Sequence, residues 1–501
     1  MKQDSSQPNI LLILTDQQRL SALGAYGETP CKTPHLDRLA ARSARFETAY
    51  TTCPVCSPAR GSVMTGQYPH AHGITSNVHD LGCTVHELTD RPELLSRRLL
   101  AAGYACGYTG KWHLGCGWDT TFGAKIDTGL PHDVGFVGHN FWGHGDGGHN
   151  YPEYQEYLRD HGWKHEVVNP IAQDPWSGRS GELTGPVEST VPYYLAEHTI
   201  GLMDQFARES KPFFLWHNFW GPHEPYYPTR DYMDMYRDVS IPEWPNYRWV
   251  PSDRYGPQSI KRHPMAEQLY WAYWENQIRH YYAFTTMIDD QIGRMLAHLD
   301  RSGLAENTII IFSSDHGETL GSHGGLTDKG WHHFEEIQRI PLIVYVPEKY
   351  QKNGFNPRGV FQQWASLADF YPTILDYAGV GEASMGGVHG RSLRPVLEGT
   401  ETTREELAAV EFFGVNALAT SMITLRQGDL KYGWNCTSQD ELYDLGKDPY
   451  EMNNLIDDFE YTEKKRQLQC QMVAWAESKK CDRRICEYLK GSFGSSVTVP
   501  C

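Results

Sequence analysis

Residues 9–16 read NILLILTD, and this stretch decides the fold. The five positions from Ile10 to Leu14 are all apolar, so a strand formed here is buried on both faces. Strands of this kind are typical of parallel sheets that are covered by helices on both sides.

Four more segments have the length and the apolar character of strands. They are YACGYTG at 104–110, KPFFLWHNF at 211–219, NTIIIFSS at 307–314 and RIPLIVYVP at 339–347. Two helical patterns precede the second strand: one opens with Thr33 and Pro34 and keeps its spacing as far as Phe46, and the other ends at Gly103. Strands that alternate with helices predict an α/β fold with a mostly parallel central sheet flanked by helices.

The chain has 501 residues, which is long for one compact domain. The segment GGVHGRSLRPVLEG at 386–399 has the composition of a domain end. Short alternating segments follow it, and then a helical pattern near 460–480, which together are typical of an antiparallel sheet with a helix. We therefore predict a large domain over 1–385 and a smaller C-terminal α+β domain over 386–501.

The formal charge of −17 argues against nucleic acid as a partner, because nucleic acid binding needs a basic surface. The longest apolar runs have the length of strands and are far below the roughly 20 residues of a membrane helix, so no transmembrane segment is predicted.

The N-terminal residues MKQDSSQPN lead straight into the first strand without a signal peptide. The expected location is therefore cytoplasmic for the sequence as written, and periplasmic or secreted if an N-terminal signal has been removed. Four of the eleven cysteines crowd the C-terminus, at Cys470, Cys481, Cys486 and Cys501, and we expect them to be reduced thiols.

Two irregular stretches, near 116–190 and 227–257, are rich in aromatic residues. Long irregular segments in a compact domain are often binding loops, and Trp and Tyr there can either stack on a sugar ring or pack the loops down. His144 and His149, in a glycine-rich part of the first stretch, are candidates for substrate contact.

Polar side chains follow four of the predicted strands, close to where each strand ends. These residues are Asp16 and Gln17, Lys111 and His113, His223, and Asp315 and His316. Ligands of open α/β sheets bind at the carboxyl ends of the strands, so these groups are expected to meet. Taken singly, Asp16 also fits a helix N-cap, and His113 and His223 also fit ordinary loop histidines.

Asp16, Gln17, Asp315 and His316 together form a sensible set of ligands for a divalent cation. Three oxygen donors and one imidazole suit Ca²⁺, Mg²⁺ or Mn²⁺ better than a structural zinc ion. The basic residues that an oxyanion would need are Arg60, Lys111 and Lys329.

Cys53 and Cys56 lie in a C-x-x-C spacing, which fits a redox pair, half of a zinc site or two unrelated thiols. Ser57 and Pro58 form a helix start directly after Cys56. The free backbone N–H groups at a helix start favour an anion, and Arg60 lies one turn further along the same face.

The segment CSPARGSVMTGQYPHAHG at 56–73 resembles the signature of the type I sulfatases of the alkaline phosphatase superfamily. Further segments resemble other blocks of that family, in the family's order: NILLILTDQQR, GYTGKWHLG, GPHEPY, SSDHGETLGSHGGLTDKGW and ELYDLGKDPYEMNNL. The resemblance runs from about residue 8 to about residue 455.

This resemblance implies that a maturase acting on the motif at 56–60 oxidises Cys56 to Cα-formylglycine, whose hydrated aldehyde is the nucleophile. It also implies a divalent metal, usually Ca²⁺, that is held by Asp16, Gln17, Asp315, His316 and the modified Cys56. The resemblance also implies roles for the other residues. Arg60 steadies the diol, and Lys111 and Lys329 bind sulfate oxygens. His223 protonates the leaving alcohol together with Lys329, His113 takes a proton from the diol, and Asn77 contacts the site.

The sequence departs from the commonest pattern of that family at Gln17 and His316, where many members carry Asp and Asn. The pairs present here occur in branches that include choline sulfatase-like enzymes and phosphonate monoester hydrolases, which makes phosphonate monoester or phosphodiester hydrolysis the chief alternative. Lys111 and His113 favour a sulfate monoester, because the phosphonate hydrolases lack this pair. We predict a sulfated carbohydrate as substrate, and the non-enzymatic alternative is a carbohydrate-binding or dithiol redox protein.

Overall fold

The computed structural model describes residues 7–80, 82–115, 128–143, 147–170, 180–248, 270–352, 354–381, 385–404, 406–415 and 418–494. The strands are β1 (Asn9–Asp16), β2 (Ala44–Phe46), β3 (Ala49–Tyr50), β4 (Ala105–Gly110), β5 (Val137–Gly138), β6 (Val167–Val168), β7 (Glu182–Leu183), β8 (Phe213–Pro222), β9 (Thr308–Ser314), β10 (Leu342–Tyr345), β11 (Gly359–Phe361), β12 (Ala365–Ser366), β13 (Leu407–Val415), β14 (Leu418–Gln427), β15 (Leu430–Asn435) and β16 (Glu441–Asp444).

The helices are α1 (Pro34–Ala41), α2 (Cys56–Thr65), α3 (Pro69–His72), α4 (Leu95–Ala101), α5 (Pro152–Asp160), α6 (Val191–Glu209), α7 (Arg230–Asp234), α8 (Trp271–Ser302), α9 (Ser322–Gly325), α10 (Glu335–Gln338), α11 (Phe370–Tyr377), α12 (Arg394–Leu397), α13 (Thr462–Ser478) and α14 (Arg483–Phe493). In the part of the chain that the structure describes, no helix is both long and apolar enough to cross a bilayer.

The central sheet has the strand order β11-β2-β10-β9-β1-β8-β4-β5. Strands β9, β1, β8, β4 and β5 run parallel to one another, whereas β10 is antiparallel to both β9 and β2. The carboxyl ends of β1, β8, β9 and β4 therefore lie at one edge of the sheet. This arrangement confirms the predicted α/β fold with a mostly parallel central sheet.

Strand β1 lies at the centre of this sheet and is buried along its whole length. Its side chains alternate between two apolar clusters because successive residues of a strand point to opposite faces. Leu12 and Leu14 pack on the face that is covered by α2, α4 and α11, and Leu11 and Ile13 pack on the face that is covered by α1, α6 and α8. The apolar run at 10–14 thus forms the boundary between two helical layers.

The C-terminal part forms an antiparallel sheet of order β13-β14-β15-β16, as predicted, with α13 and α14 packed against it. Several contacts join this sheet to the segment that follows Lys329: the rings of Trp331 and Phe412 lie 5.1 Å apart, and His333 Nδ1 lies 2.7 Å from Thr424 Oγ1. The domain limits at 385 and 386 stay a prediction.

The helix predicted to run on to Phe46 is shorter than expected, because α1 ends at Ala41. Residues 44–46 pair instead with β10 and β11, so hydrogen bonds to the sheet prevail over the helical spacing of the side chains. The prediction of reduced C-terminal thiols is wrong for Cys470, which is disulfide-bonded, while Cys481 and Cys486 are free and Cys501 lies outside the described residues. Pairing depends on the separation of two residues in space, which their sequence spacing does not show.

Candidate active site

Cys56 is the first residue of helix α2 and lies fully buried at the carboxyl edge of the central sheet. Its Sγ lies 3.3 Å from Lys111 Nζ, 3.4 Å from His316 Nε2 and 3.8 Å from Asp16 Oδ1. Burial and the charge of Asp16 raise the pKa of this thiol, but the charges of Lys111, Lys329 and His316 more than offset them, so its pKa is lowered. The residue thus lies in a polar, net attractive environment for an anion.

Cys53, the other half of the C-x-x-C spacing, lies in a different environment. It packs in an apolar cluster with Val55, Trp331 and Phe412, and burial together with the charge of Glu411 raises the pKa of its thiol well above the usual range. Both cysteines are free thiols, and a buried thiol with a raised pKa is chemically inert. The two cysteines therefore differ in their surroundings and in the direction in which the pKa of each thiol is shifted.

Four side chains bring one donor atom each to within 4.8 Å of one another: Asp16, Cys56, Asp315 and His316. They meet because β1 and β9 run parallel and in register, with Thr15 opposite Ser314, so that Asp16 and Asp315 leave the sheet together. His316 Nδ1 lies 3.0 Å from the Gly317 carbonyl oxygen, which turns Nε2 toward Cys56.

This donor set fits a divalent cation. Burial and the nearby charge of Asp16 raise the pKa of Asp315, whereas the charges of His316, Arg60 and Lys111 lower it. Two carboxylates with an imidazole are ordinary ligands for such an ion.

Gln17, the fifth predicted metal ligand, has its side chain engaged elsewhere. Its Oε1 accepts a hydrogen bond of 2.6 Å from Lys329 Nζ, and its Nε2 donates to Glu318 and, at 3.2 Å, to Asp328. Its backbone N–H donates to Asp315 Oδ1 at 3.1 Å. The structure thus places Gln17 between the metal-ligand candidates and Lys329, and its role as a ligand stays a prediction.

Arg60 lies one turn into α2 and is completely buried between the two aspartates. Its Nη2 lies 2.9 Å from Asp16 Oδ2 and 3.1 Å from Asp315 Oδ2. Its Nη1 donates at 2.8 Å both to the Lys111 carbonyl oxygen and to Asn218 Oδ1. A planar guanidinium can satisfy all of these acceptors at once, so Arg60 fixes the relative positions of β1, β4, β8 and β9.

The two lysines approach Cys56 from different segments, one at the end of β4 and the other between α9 and α10. Lys111 follows β4, is fully buried, and lies 2.7 Å from Asp16 Oδ2 and 4.7 Å from the ring centroid of Trp220. Burial lowers the pKa of Lys329, but the charges of Cys56, Asp328 and Asp16 outweigh it and raise this pKa above its usual range. Both lysines therefore act electrostatically on the buried thiol, and Lys111 also contacts it directly.

The structure also places the predicted histidines and Asn77. His113 is buried behind Lys111, and its carbonyl oxygen accepts a 2.6 Å hydrogen bond from Ser57 Oγ, while Asn77 Oδ1 accepts one of 3.3 Å from the Ser57 backbone N–H. His223 follows β8, and its Nδ1 lies 2.7 Å from the Glu224 carbonyl oxygen.

His149 lies among the rings of Tyr154, His165 and Tyr227, with ring centroids about 6 Å away, as expected for aromatic packing within the loops. His144 lies outside the described residues. The substrate contacts predicted for His144 and His149 stay predictions.

Sequence reasoning missed several neighbours of the site, namely His79, Asn218, Trp220, Glu318 and Asp328. Asn218 and Trp220 lie near the carboxyl end of a strand that was recognised, so the rule that selected His223 could also have found them. His79, Glu318 and Asp328 lie in loops, and only their spatial neighbours reveal them.

Comparison with known proteins identifies the same regions. The model of the family "Sulfatase" matches residues 8–380, and the model "N-sulphoglucosamine sulphohydrolase, C-terminal" matches residues 321–478.

Three similar proteins show the extent of the likeness. An N-acetylglucosamine-6-O-sulfatase of Bacteroides thetaiotaomicron is 26% identical over 93% of this chain and 86% of its own length. A choline-sulfatase of Rhizobium meliloti is 28% identical over 90% of this chain and 83% of its own. The crystal structure of a phosphonate monoester hydrolase of Agrobacterium radiobacter has the same fold, with a TM-score of 0.74, 23% identity and coverage of 94% and 96% of the two chains.

Proposed function

The chain belongs to the sulfatase family and is a sulfuric ester hydrolase, and we propose that it hydrolyses a sulfate monoester of a saccharide with a formylglycine derived from Cys56. One observation carries this proposal: Cys56, at a helix N-terminus, lies within hydrogen-bonding distance of Lys111 and His316 and beside two buried aspartates. This arrangement brings a basic group for an anion and a set of candidate ligands for a divalent cation to one reacting side chain.

Oxidation of Cys56 by a maturase that acts on residues 56–60 is part of the proposal. When present, the hydrated aldehyde supplies an oxygen nucleophile in place of the thiol. The surroundings of Cys56 suit oxygen, because an ammonium group and a ring nitrogen that now approach Sγ are ordinary hydrogen-bond partners of a hydroxyl.

A divalent metal, for which Ca²⁺ is the first choice and Mg²⁺ or Mn²⁺ are alternatives, would be held by Asp16, Asp315, His316 and the modified Cys56, with Gln17 at the border of the set. Such an ion lowers the pKa of a hydroxyl and polarises a bound oxyanion. Arg60 keeps both aspartates oriented toward this position.

The remaining residues bind the sulfate and move protons. Lys111 and Lys329 bind sulfate oxygens with charge-assisted hydrogen bonds where negative charge increases during the reaction. His223 donates a proton to the leaving alcohol oxygen as the sulfur–oxygen bond breaks, with Lys329 beside it. His113 takes one proton when the nucleophile is regenerated and sulfate leaves.

The proposed substrate is a saccharide because a relative that covers nearly the whole chain is an N-acetylglucosamine-6-O-sulfatase. The choline-sulfatase relative supports a second candidate, a sulfate ester of a small quaternary ammonium alcohol. Against phosphonate or phosphodiester hydrolysis, Lys111 lies 3.3 Å from Cys56 and His113 follows two residues on, and the resemblance to the type I sulfatases associates this pair with sulfate monoesters. Where in or outside the cell the protein acts stays a prediction.

Mass spectrometry of the tryptic peptide 46–60 tests the modification, and a substrate screen tests the reaction. Protein from the native host is expected to contain the aldehyde form of this peptide and to hydrolyse at least one defined sulfated saccharide. The screen includes choline sulfate and a phosphonate monoester. Unmodified Cys56 in active protein from that host would disprove the proposed nucleophile, and preferential turnover of the phosphonate would establish the alternative.

Lys111→Ala is expected to lower kcat on a sulfate ester by about 10²–10³-fold, because it removes a charge-assisted contact at the point where charge develops. Steady-state kinetics measure this loss. The matched control is Lys211→Ala, which removes an ammonium group whose side chain is 61% exposed, and it is expected to leave kcat unchanged. Near-normal turnover by the Lys111 variant would refute its role.

Removal of divalent ions with EDTA is expected to abolish hydrolysis, and adding back Ca²⁺, Mg²⁺ or Mn²⁺ separately is expected to show which ion restores it. Asp315→Asn should not recover with the same ion, because this variant removes a carboxylate from the donor set. Full activity in protein shown by elemental analysis to hold no metal would contradict the proposed metal site.

A further inference from the structure

His79 connects the buried His113 to solvent. The distance between His79 Nδ1 and His113 Nε2 is 3.1 Å, and the two rings lie within 16° of parallel. His113 is completely buried, whereas the side chain of His79 is 34% exposed. Two imidazoles at this distance share a hydrogen bond, so a proton on the inner ring has a direct neighbour that water reaches.

The proposed reaction gives this contact a purpose. In each turnover His113 takes up one proton while sulfate leaves, and it must lose that proton before it can act again. Lys111, two residues away, is buried as well, and a second positive charge beside its ammonium group is costly in a site of low dielectric. The rate at which His113 loses this proton therefore limits how soon the next turnover can begin.

We propose that His79 relays this proton to solvent. His113 accepts the proton at Nδ1 while its Nε2–H donates to His79 Nδ1, and His79 then releases a proton from Nε2 to water. One proton enters the pair and one leaves it, after which each ring carries its hydrogen on Nδ1 instead of Nε2. Both rings then exchange back to the Nε2–H tautomer before the next turnover. This inference rests on the proposed function, in which His113 is the base.

The outer end of the relay is held by Asp80. Its Oδ1 lies 3.6 Å from His79 Nε2. Its Oδ2 accepts hydrogen bonds of 2.6 Å from Ser76 Oγ and 3.2 Å from the Asn77 backbone N–H, which fix the carboxylate. Asn77 in turn binds the Ser57 backbone N–H at the start of α2, so the relay is anchored to the helix that carries Cys56.

The charged groups around His79 suit a side chain that carries a proton only briefly. Burial lowers its pKa, the carboxylate of Asp80 raises it and the ammonium of Lys111 lowers it, with a net lowering. A ring of this kind is neutral near neutral pH, so it can accept a proton from His113 and lose it quickly to water.

The experiment compares His79→Gln with His86→Gln, each in modified, metal-loaded protein, on 4-nitrophenyl sulfate. Glutamine keeps hydrogen-bonding groups but cannot carry a proton. We expect His79→Gln to lower kcat about 10- to 100-fold, which is less than the roughly 10²–10⁴-fold contribution of a group that exchanges a proton with the reacting atoms themselves, while kcat/KM stays within about twofold. The reason for this difference is that kcat/KM reports steps up to sulfate transfer, before His113 acts.

His86 is the matched control because it lies on the same loop but bonds the Val78 carbonyl oxygen, at 2.9 Å, with its Nδ1. His86→Gln is expected to leave both constants unchanged. In a second measurement, added imidazole is expected to restore most of the kcat of His79→Ala, which a purely structural role would not allow.

Wild-type kcat in His79→Gln would overturn the relay and leave the proposed function intact. Equal losses of kcat and kcat/KM without rescue by imidazole would also overturn it, because they would indicate a packing role. If His113→Ala turned over normally, or if the modified wild-type protein hydrolysed no sulfate ester, the proposed function and the relay would both be refuted.

Discussion

Cys56→Ala is expected to abolish sulfate ester hydrolysis, with a fall in kcat on the order of 10⁴- to 10⁶-fold, as for loss of a nucleophile elsewhere. The side chain lies 3.3 Å from Lys111 and 3.4 Å from His316, so its removal leaves the surrounding charges without a reacting group between them. Initial rates on a sulfated saccharide measure the effect, with EDTA-treated wild-type protein as the baseline.

Cys53→Ala is the matched control for this prediction. Because Cys53 packs among apolar residues, its replacement is expected to keep kcat close to wild type. Loss of activity in both variants would indicate a dithiol mechanism, and full activity in Cys56→Ala would show that another residue attacks the substrate.

Arg60→Met is expected to lower the free energy of unfolding by about 3–5 kcal/mol, because it leaves buried carboxylates without their partner. The lost contacts are those to Asp16 and Asp315, at 2.9 and 3.1 Å, and the hydrogen bonds to the Lys111 carbonyl oxygen and Asn218. Methionine fills much of the same volume, so the change tests charge and hydrogen bonding more than packing. Urea denaturation of metal-free protein measures it.

Arg237→Met is the control that removes an arginine with similar ion pairs from a partly exposed position. Arg237 also pairs with two acids, Glu182 at 2.7 Å and Asp234, but its side chain is 40% exposed, so the expected loss is about 1 kcal/mol or less. Equal urea midpoints for Arg60→Met and the wild type would show that the buried pair of aspartates does not depend on Arg60.

Patterns along the chain predicted the central sheet and the set of residues at its carboxyl edge. The apolar run at 10–14 is a buried strand, and Asp16 and Asp315 meet because the two strands that carry them are parallel neighbours in register. A helix start directly after Cys56 was predicted from Ser57 and Pro58, and α2 begins one residue earlier, at Cys56 itself.

Contacts between loops that are distant in sequence could not be predicted in this way. The bonds of Gln17 to Glu318 and of His79 to His113 depend on how loops fold over the sheet edge, and no periodicity encodes them. For the same reason Phe46 followed a helical pattern but joined a strand, since pairing with β11 is a tertiary effect.

The segment after Lys329 packs against the C-terminal sheet, so the position of Lys329 depends on that sheet as well as on the central one. A Cβ on Gly330 would lie 2.8 Å from the ring of Phe412 on β13, and Trp331 packs on the same ring. If the C-terminal sheet were exchanged for that of a relative, we would therefore expect the Lys329 side chain to shift. With Lys329 in its proposed role beside the leaving group, substitutions beyond residue 400 would alter leaving-group preference without altering the signature at 56–60. We therefore expect a chimera built at the predicted domain boundary to differ from the wild type in activity.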